Sequence, residues 1–386
     1  MKKNWMERFT GLTLAFNPVC NVIGVIWLSF KVKHLPAKIK SDRVSLILWI
    51  LIAISGIFTV IVAKDKAAAL SGYLIPFAIV WFYILGKWVI KDPVTFIQDM
   101  IRGVAVLSII VVVAQLFNIN WVIGNVRILY DFSPSGRGEV FYVGNNILGI
   151  MIQAGVVGAV GSFFVNWKTK RFLVGNIITV IVGACALIVT DSKGAMLGTV
   201  AGVLFLVICY GVVALISAGL LAGVWLLFSK RLHILISTGV NGSEWVRMEI
   251  WRATFRMIKD HLFFGIGAGQ YVKEFQKYRP KSLMGTEYNN VCTCGHSNYL
   301  SYIAAYGIVG AILFFGWQFF ILLRALIGGL TPLQRVIMAI LISFFVHVLV
   351  NDLVVAYWGI LLGLLENPYF KTNQSVSLQG EEEVSS

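Results

Sequence analysis

The sequence predicts an all-α, polytopic integral membrane protein with about 11 to 12 transmembrane helices and one long extracytoplasmic loop that contains an amphipathic helix. Three observations predict this fold class. Hydrophobic residues make up 58% of the chain and charged residues only 13%, about half the charged fraction of a soluble domain. Apolar runs of roughly 17 to 25 residues, long enough to cross a bilayer as helices, recur along the chain. A single long hydrophilic segment, 229–299, interrupts them.

The apolar runs predict the positions of the spans. The first run follows Lys2 and Lys3, as in a signal peptide, but no small-residue cleavage site follows it, so we interpret it as a retained span. The alternative interpretation is that the Asn17-Pro18 pair marks a hairpin of two short helices, which raises the number of spans from eleven to twelve. The predicted spans lie near 11–30, 44–63, 67–90, 101–118, 141–165, 172–190, 194–209, 211–228, 300–323, 335–350 and 354–370.

Basic residues in the short loops predict the orientation. Lysine and arginine are concentrated in 31–43 and 166–171, and such loops face the cytoplasm. Alternation from these loops puts 119–140, 191–193, 229–299 and 351–352 on the outer face. The chain then divides into N-terminal transmembrane helices (1–228), an extracytoplasmic catalytic loop (229–299), C-terminal transmembrane helices (300–370) and a disordered cytoplasmic tail (371–386).

The long loop carries the predicted amphipathic helix. It contains ten Lys and Arg residues against five Asp and Glu residues, which indicates an anionic partner such as lipid phosphate or a diphosphate, and not nucleic acid on that face. Helical periodicity from Ser243 puts Met248, Trp251, Phe255, Ile258 and Leu262 on a buried face, and Glu249, Arg252, Arg256 and Lys259 on a solvated one. Arg247 belongs to neither stripe. It is either an interfacial arginine or a functional one.

The stretch "CTCGHSNYLSYIAAYGIVGAILFF" places His296 directly before an apolar helix that begins at Ser297 or Asn298. The positive end of a helix disfavours an imidazolium, so a neutral His296 could accept a proton from a hydroxyl while the helix end and nearby cations hold an anion. Alternatively, His296 only caps the helix. Cys292 and Cys294 alternate with His296, a pattern compatible with a soft-metal site, a disulfide or neither.

Four segments resemble one family in their order. They are "GRGEVFYVGNNILG", "TDSKGAMLG", "RMEIWRATFRMIKDHLFFGIGAGQY" and "GHSNYLSYIAAYGIVGAILFF". Together they cover about residues 130 to 330 and resemble the bacterial O-antigen ligase and O-antigen polymerase superfamily, and the closing "NDLVVAYWGILLG" also fits. The sequence departs from the family pattern at three positions: Lys193 stands for the usual arginine, Leu262 for a proline and Tyr306 for a frequent glutamate.

The resemblance implies a glycosyltransferase on the outer face of the bacterial plasma membrane. Lys193, Arg247 and Arg137 would bind the diphosphate of a polyprenyl (undecaprenyl) carrier that bears a glycan, and His296 would orient or deprotonate the hydroxyl of a glycan or lipid acceptor. Asn146 and Asn298 are possible contacts to donor or acceptor. The reaction would need no metal or other cofactor, and a single displacement would invert the anomeric centre. The protein is a polymerase or a ligase depending on its acceptor.

A transporter of a lipid-linked or anionic solute is the alternative function. Transporters carry ionisable residues near the bilayer midplane, interrupted helices or internal repeats. In this sequence only His347 lies well inside a predicted span, with Asp352 as a possible partner, and no repeat is evident.

Overall fold

The computed structural model describes residues 5–16, 18–32, 42–123, 126–130, 132, 139–140, 144–211, 219, 242–283, 292, 294–352 and 357–370. Within this part of the chain the all-α prediction is confirmed. The helices are α1 (Trp5–Leu14), α2 (Pro18–Ser29), α3 (Arg43–Val62), α4 (Lys66–Trp88), α5 (Pro93–Leu116), α6 (Asn145–Asn166), α7 (Leu173–Thr190), α8 (Lys193–Tyr210), α9 (Gly242–Asp260), α10 (Tyr271–Tyr278), α11 (Asn298–Ile327), α12 (Pro332–His347) and α13 (Tyr357–Leu365). Seven of them, α3 to α8 and α11, are long and apolar enough to cross a membrane.

The N-terminal region forms two short helices rather than the single span predicted near 11–30. Helices α1 and α2 contain 10 and 12 residues. At 1.5 Å per residue neither reaches across a hydrocarbon core of ~30 Å. Lys31 Nζ lies 3.9 Å from Glu7 Oε1, so the start of α1 and the end of α2 are adjacent. The helical hairpin is therefore the alternative that the structure adopts.

The other predicted spans agree with the described helices to within a few residues, with two exceptions. Helix α5 begins at Pro93 rather than near residue 101, because the Asp92 carboxylate accepts a hydrogen bond from Thr95 N (3.0 Å) and proline is favourable in a first turn. The predicted span 211–228 lies almost wholly outside the described residues. The outer segment 119–140 contains a small antiparallel sheet that the sequence analysis did not predict, with strands β1 (Trp121–Ile123), β2 (Val126–Tyr130) and β3 (Glu139–Val140) in that order.

The helices at the centre of the bundle are α6, α12 and α13. Helix α6 packs against α5, α7, α8 and α12, and α13 packs against α4 and α12. Two glycines of α13 allow this contact, since a Cβ on Gly359 or Gly363 would lie 2.4 Å or 2.1 Å from a carbonyl oxygen of α4. Asn351 lies in the short connection between α12 and α13, and these two buried helices thus fix its position.

Ion pairs join several helices at the opposite end of the bundle. Lys87 at the end of α4 pairs with Asp42, which caps α3, and with Glu366 after α13 (2.8 Å). Arg324 near the end of α11 also pairs with Glu366. All these residues belong to the end that the basic loops predict to be cytoplasmic.

Helix α9 confirms the predicted amphipathic helix, but the predicted faces are only partly right. Ile258 of the predicted buried face is buried, whereas Met248 and Phe255 are 43% and 57% exposed. Ile250, Ala253 and Met257 are buried against α10 and α11 instead. Glu249, predicted to be solvated, is also buried and accepts a hydrogen bond from Ser282 Oγ (2.7 Å). Two large apolar side chains of the predicted buried face thus lie outside, as suits a helix at a membrane surface.

Helix α11 is broken at Gly307, whose φ and ψ are 71° and 177°. A break within a membrane leaves backbone groups that need other partners. The glycine-rich loop after α9 provides them: Ile266 N donates to Ala304 O (2.8 Å), Gly267 N donates to Ala305 O (3.0 Å), and Ile308 N donates to Leu262 O (2.8 Å). The outer segment is therefore hydrogen-bonded directly into a membrane helix.

Two residues that depart from the family pattern have defined contacts. Leu262 contributes its carbonyl to the contact with α11, and a proline has the same carbonyl. Tyr306, which replaces a frequent glutamate, donates its hydroxyl to Gly72 O of α4 (2.8 Å).

The connection between α3 and α4 makes a second set of contacts, with the residues around the start of α10. The side-chain amide of Gln270 donates to Asp65 O (2.8 Å) and accepts from Asp65 N (3.2 Å). Lys64 pairs with Glu274 (2.9 Å), and Lys273 pairs with the Asp65 carboxylate (2.8 Å). Helices α9 and α10 are thus held against the bundle from two directions.

The break in α11 yields a prediction. A Cβ at Gly307 would lie 2.1 Å from Phe263 O and would have to adopt a positive φ, which is strained for any residue with a side chain. We expect Gly307→Ala to destabilise the protein by at least ~1–3 kcal/mol, measured as a lower Tm in detergent. Gly316→Ala in the same helix is the control, because a Cβ there meets nothing within 4 Å. Equal Tm values for the two variants would contradict this account of the break.

Candidate functional site

Segments far apart in the sequence meet at Asn351, which is 2% exposed. Its side-chain Oδ1 accepts a long hydrogen bond from Arg247 Nη2 (3.5 Å), and its backbone carbonyl accepts one from Asn298 N (3.2 Å). Its Nδ2 lies 2.3 Å from the position that a Cβ on Gly194 would take. Helix α9 and the first turn of α8 therefore lie next to the side-chain amide of Asn351, and the first turn of α11 is hydrogen-bonded to its backbone carbonyl.

The turn between α7 and α8 fixes the position of Lys193. Asp191 ends α7 in the left-handed conformation (φ 50°), and Ser192 caps α8, so that Lys193 is the first residue of that helix. Backbone N–H groups at a helix start have no intrahelical partners and lie at the positive end of the helix dipole. The start of α8 therefore carries positive potential, and Lys193 belongs to its first turn. Ser192 Oγ donates to Asn146 Oδ1 (3.1 Å), which brings the start of α6 to the same site.

Arg247 occupies the side of α9 that faces the bundle. It lies one turn before Ile250 and two turns before Thr254, which are both fully buried, and it is itself half-buried. Arg252, by contrast, has a side chain that is 68% exposed and pairs with Glu249. The contact with Asn351 favours the functional interpretation of Arg247 over that of an interfacial arginine.

His296 directly precedes α11, as predicted. Ser297 is the N-cap residue, although its side chain makes no capping hydrogen bond, and His296 itself adopts a left-handed conformation (φ 47°). Gly295 N donates to Ser301 Oγ (2.8 Å), and Asn298 N donates to Val348 O (3.0 Å). These bonds fix the chain on both sides of His296 against α11 and the connection after α12.

Most of these residues lie in the segment of the chain that matches a known family. Residues 178–315 match the O-antigen ligase family model. The resemblance predicted from the sequence is thereby confirmed for this segment, which includes Lys193, Arg247, His296 and Asn298. The match supports a membrane glycosyltransferase of the O-antigen ligase or polymerase type as the general function. No curated protein matches the chain.

Three residues of the site lie outside the O-antigen ligase segment in the sequence but contact it in the structure: Asn146, Asn351 and Asp352. The sequence analysis predicted Asn146 as a possible contact but did not predict the other two as site residues. The sequence feature that could have indicated Asn351 and Asp352 is an asparagine next to an aspartate in a short connection between two apolar spans. Arg137, predicted as a diphosphate ligand, lies outside the described residues.

Asp352 adds an acid to the site. It lines a cavity of ≈ 350 Å³ together with Asn298, Ser301 and aromatic side chains that include Tyr302. Burial raises the pKa of Asp352 to about 6, although hydrogen bonds from Ser301 and Cys294 oppose this shift. A carboxyl group with this pKa can gain or lose a proton near neutral pH.

The two cysteines before His296 have defined environments. Cys292 is buried, and its Sγ donates to Cys294 O (3.3 Å), while burial raises the pKa of the Cys292 thiol to about 12. Neither cysteine is in a disulfide. Among the residues that the structure describes, no three His, Cys, Asp or Glu side chains are grouped so that they could hold a metal ion.

The possible pairing of His347 with Asp352, considered for a transporter, is not observed. His347 Nδ1 lies 2.9 Å from Gln153 Oε1 in the buried core instead. The carboxylate of Asp352 accepts hydrogen bonds from Ser301 and Cys294. The two residues therefore belong to separate hydrogen-bonded groups.

The raised pKa of Asp352 yields a prediction about stability. The pKa of Asp352 is about 6 in the folded protein and 3.8 ordinarily. Its contribution to the free energy of unfolding is therefore fully present below about pH 4 and is lost as the pH rises through about 6. Asp352→Asn keeps the shape but cannot ionise. We therefore expect this variant to raise Tm at pH 8 more than at pH 5. Asp260→Asn, at the exposed end of α9, controls for the loss of one carboxylate. The same Tm change at both pH values for Asp352→Asn would refute the prediction.

Proposed function

We propose that this protein transfers a glycan from undecaprenyl diphosphate, or a similar polyprenyl diphosphate, to an acceptor hydroxyl during the synthesis of surface polysaccharide. One observation carries the proposal. A Cβ on Gly194, next to Lys193 at the start of α8, would lie 2.3 Å from Asn351 Nδ2, Arg247 Nη2 donates to Asn351 Oδ1 (3.5 Å), and Asn298, two residues after His296, donates its N–H to Asn351 O (3.2 Å). We infer from these contacts that the side chains of Lys193, Arg247 and His296 serve one site.

Such a site suits a diphosphate leaving group. Negative charge increases on the diphosphate as the bond to the anomeric carbon breaks, and cations fixed in advance stabilise that charge. A diphosphate leaves without being protonated, so the paired carboxylates of a glycosidase are unnecessary. We therefore propose that Lys193 and Arg247 bind the diphosphate and that the reaction is metal-independent. Arg137 is a further candidate ligand.

The start of α8 compensates for the lysine at position 193. An ammonium group lacks the planar fork with which arginine binds two phosphate oxygens. Backbone N–H groups in the first turn of a helix can donate to phosphate oxygens as well. The first turn of α8 could thus supply the directional hydrogen bonds, while Lys193 supplies charge.

We propose that His296 acts on the acceptor hydroxyl. In the proposed step the acceptor oxygen forms a bond to the anomeric carbon, the bond from that carbon to the diphosphate oxygen breaks, and the diphosphate leaves with the electron pair. Neutral His296 takes or orients the hydroxyl proton. A single displacement inverts the anomeric centre. The cavity lined by Asn298 and Asp352 is where we expect the acceptor, with Asp352 as a second group able to accept a proton. Asn146 supplies a further amide at the edge of the site.

The structure offers one feature in favour of the transporter alternative, the broken helix α11. In transporters the freed carbonyls of such helices coordinate ions. Here Ala304 O and Ala305 O accept hydrogen bonds from Ile266 N and Gly267 N, so the break serves to attach the outer segment. Together with the O-antigen ligase match, this favours the glycosyltransferase.

The proposed setting is the outer face of the bacterial plasma membrane, and the partners are the lipid-linked donor, the acceptor and membrane lipids. An acceptor that is itself a lipid-linked glycan would make the protein a polymerase. A different lipid or cell-wall acceptor would make it a ligase.

The experiment that tests the proposal compares basic residues on one helix. Arg247→Ala should lower the transfer rate by about 10²–10³, the usual effect of removing one group that stabilises developing negative charge. His296→Ala should lower it by about 10²–10⁴ if His296 acts as a base. Arg252→Ala is the matched control, because this side chain is 68% exposed, and it should cost little. Arg247→Ala and His296→Ala variants that insert normally and react like Arg252→Ala would refute the proposal.

Lys193 permits a second comparison in the same assay. Lys193→Arg restores the residue usual in the family and should retain or raise the rate. Lys193→Met keeps the length of the side chain without its charge and should lower the rate to a similar extent as Arg247→Ala. Equal rates for the arginine and methionine variants would show that the charge at this position has no role in transfer.

A further inference from the structure

Three buried polar side chains extend from the site into the membrane bundle. Ser343, Gln153 and His347 are at most 1% exposed, and none of them has a role in the reaction proposed above. The Ser343 hydroxyl donates to Ile340 O (2.7 Å), so its oxygen accepts from Gln153 Nε2 (3.1 Å). Gln153 Oε1 then faces His347 Nδ1 (2.9 Å), which must carry the hydrogen. This series of donors fixes the tautomer of the imidazole.

The fixed tautomer leaves a lone pair on His347 Nε2. This atom and Asn351 Nδ2 are both buried and have no hydrogen-bond partner among the described residues. Both lie within 2.7 Å of a single point, the position of a Cβ on Gly194. A buried acceptor and a buried donor are therefore neighbours. The two atoms are not hydrogen-bonded to each other in the structure, but because an unpaired buried polar group is costly, the amide orientation that keeps the donor next to the acceptor is favoured.

The proximity of these two atoms favours one orientation of the Asn351 amide. An asparagine amide can rotate by half a turn and exchange its oxygen and nitrogen. A lone pair on His347 Nε2 selects the orientation with Nδ2 toward His347, and this leaves Oδ1 toward Arg247 Nη2, where it accepts a hydrogen bond. The reverse orientation would place NH₂ against the guanidinium, donor against donor.

We infer that Ser343, Gln153 and His347 are positioning residues that orient the Asn351 amide and, through it, hold Arg247 in place for the diphosphate. The inference rests on the proposed function, because it gives Arg247 its partner. Gly194 is the fourth part of the arrangement. Any side chain there would meet Asn351 Nδ2 at 2.3 Å and His347 Cδ2 at 2.4 Å and would separate the two groups.

The test measures binding of radiolabelled undecaprenyl diphosphate to the purified full-length protein in nanodiscs. His347→Phe keeps a ring but removes the acceptor, whereas His347→Gln retains an acceptor. We expect His347→Phe to weaken binding about tenfold, the effect of losing one net hydrogen bond, and His347→Gln to restore most of it. Gly194→Ala should weaken binding to a similar degree. Its control, Gly316→Ala, meets nothing within 4 Å and should not.

The decisive readout is the coupling to Arg247. If His347 acts only through Arg247, then His347→Phe should have no further effect on binding in an Arg247→Ala background. A purely structural role would weaken binding by the same factor in both backgrounds and would overturn the inference while leaving the proposed function standing. Unchanged binding by Arg247→Ala alone would overturn the proposed function and the inference with it. Should His347→Phe fail to insert, Gly194→Ala in the two backgrounds gives the same comparison.

Discussion

The candidate site depends on the buried residue Asn351, because its side-chain amide and its backbone carbonyl are contacted by elements that are otherwise separate. Its connection is carried by α12 and α13, the short helices at the centre of the bundle, and α13 is held against α4 through backbone contacts at Gly359 and Gly363. Arg247 and the starts of α8 and α11 then assemble around it. The buried helices α12 and α13 thereby fix the positions of Arg247 and of the starts of α8 and α11.

A second constraint is the requirement that backbone groups in a membrane be hydrogen-bonded. The break at Gly307 meets this requirement only because the loop after α9 supplies two N–H groups and one carbonyl to α11. The outer segment and the membrane helix consequently depend on each other for their structure. This dependence gives a physical reason for the glycines in both segments that resemble the O-antigen ligase family. It also couples the position of Arg247, on α9, to the helix that begins after His296.

Hydropathy and loop charge were enough to predict most membrane helices, because length and apolar composition are the main requirements for spanning a bilayer. Periodicity predicted that α9 exists but not which face is buried. The helix has apolar residues on more than one side, and only the packing decides whether Ile250 and Met257 or Met248 and Phe255 contact the bundle. Arg247 and His296 were proposed from helical periodicity and from position, and Lys193 and Asn298 were proposed through the family resemblance. Asn351 and Asp352 were missed because their importance comes from contacts with residues more than 50 positions away, which no local pattern records.

The most direct test of the central claim is a cryo-electron microscopy structure of the protein with undecaprenyl diphosphate bound. The account predicts density for the two phosphates between the first turn of α8 and Arg247, beside Asn351, with the Lys193 ammonium and the Arg247 guanidinium in contact with their oxygens. Phosphate density at the other end of the bundle, near Lys87 and Arg324, or on the exposed side of α9 next to Arg252 and Arg256, would contradict it.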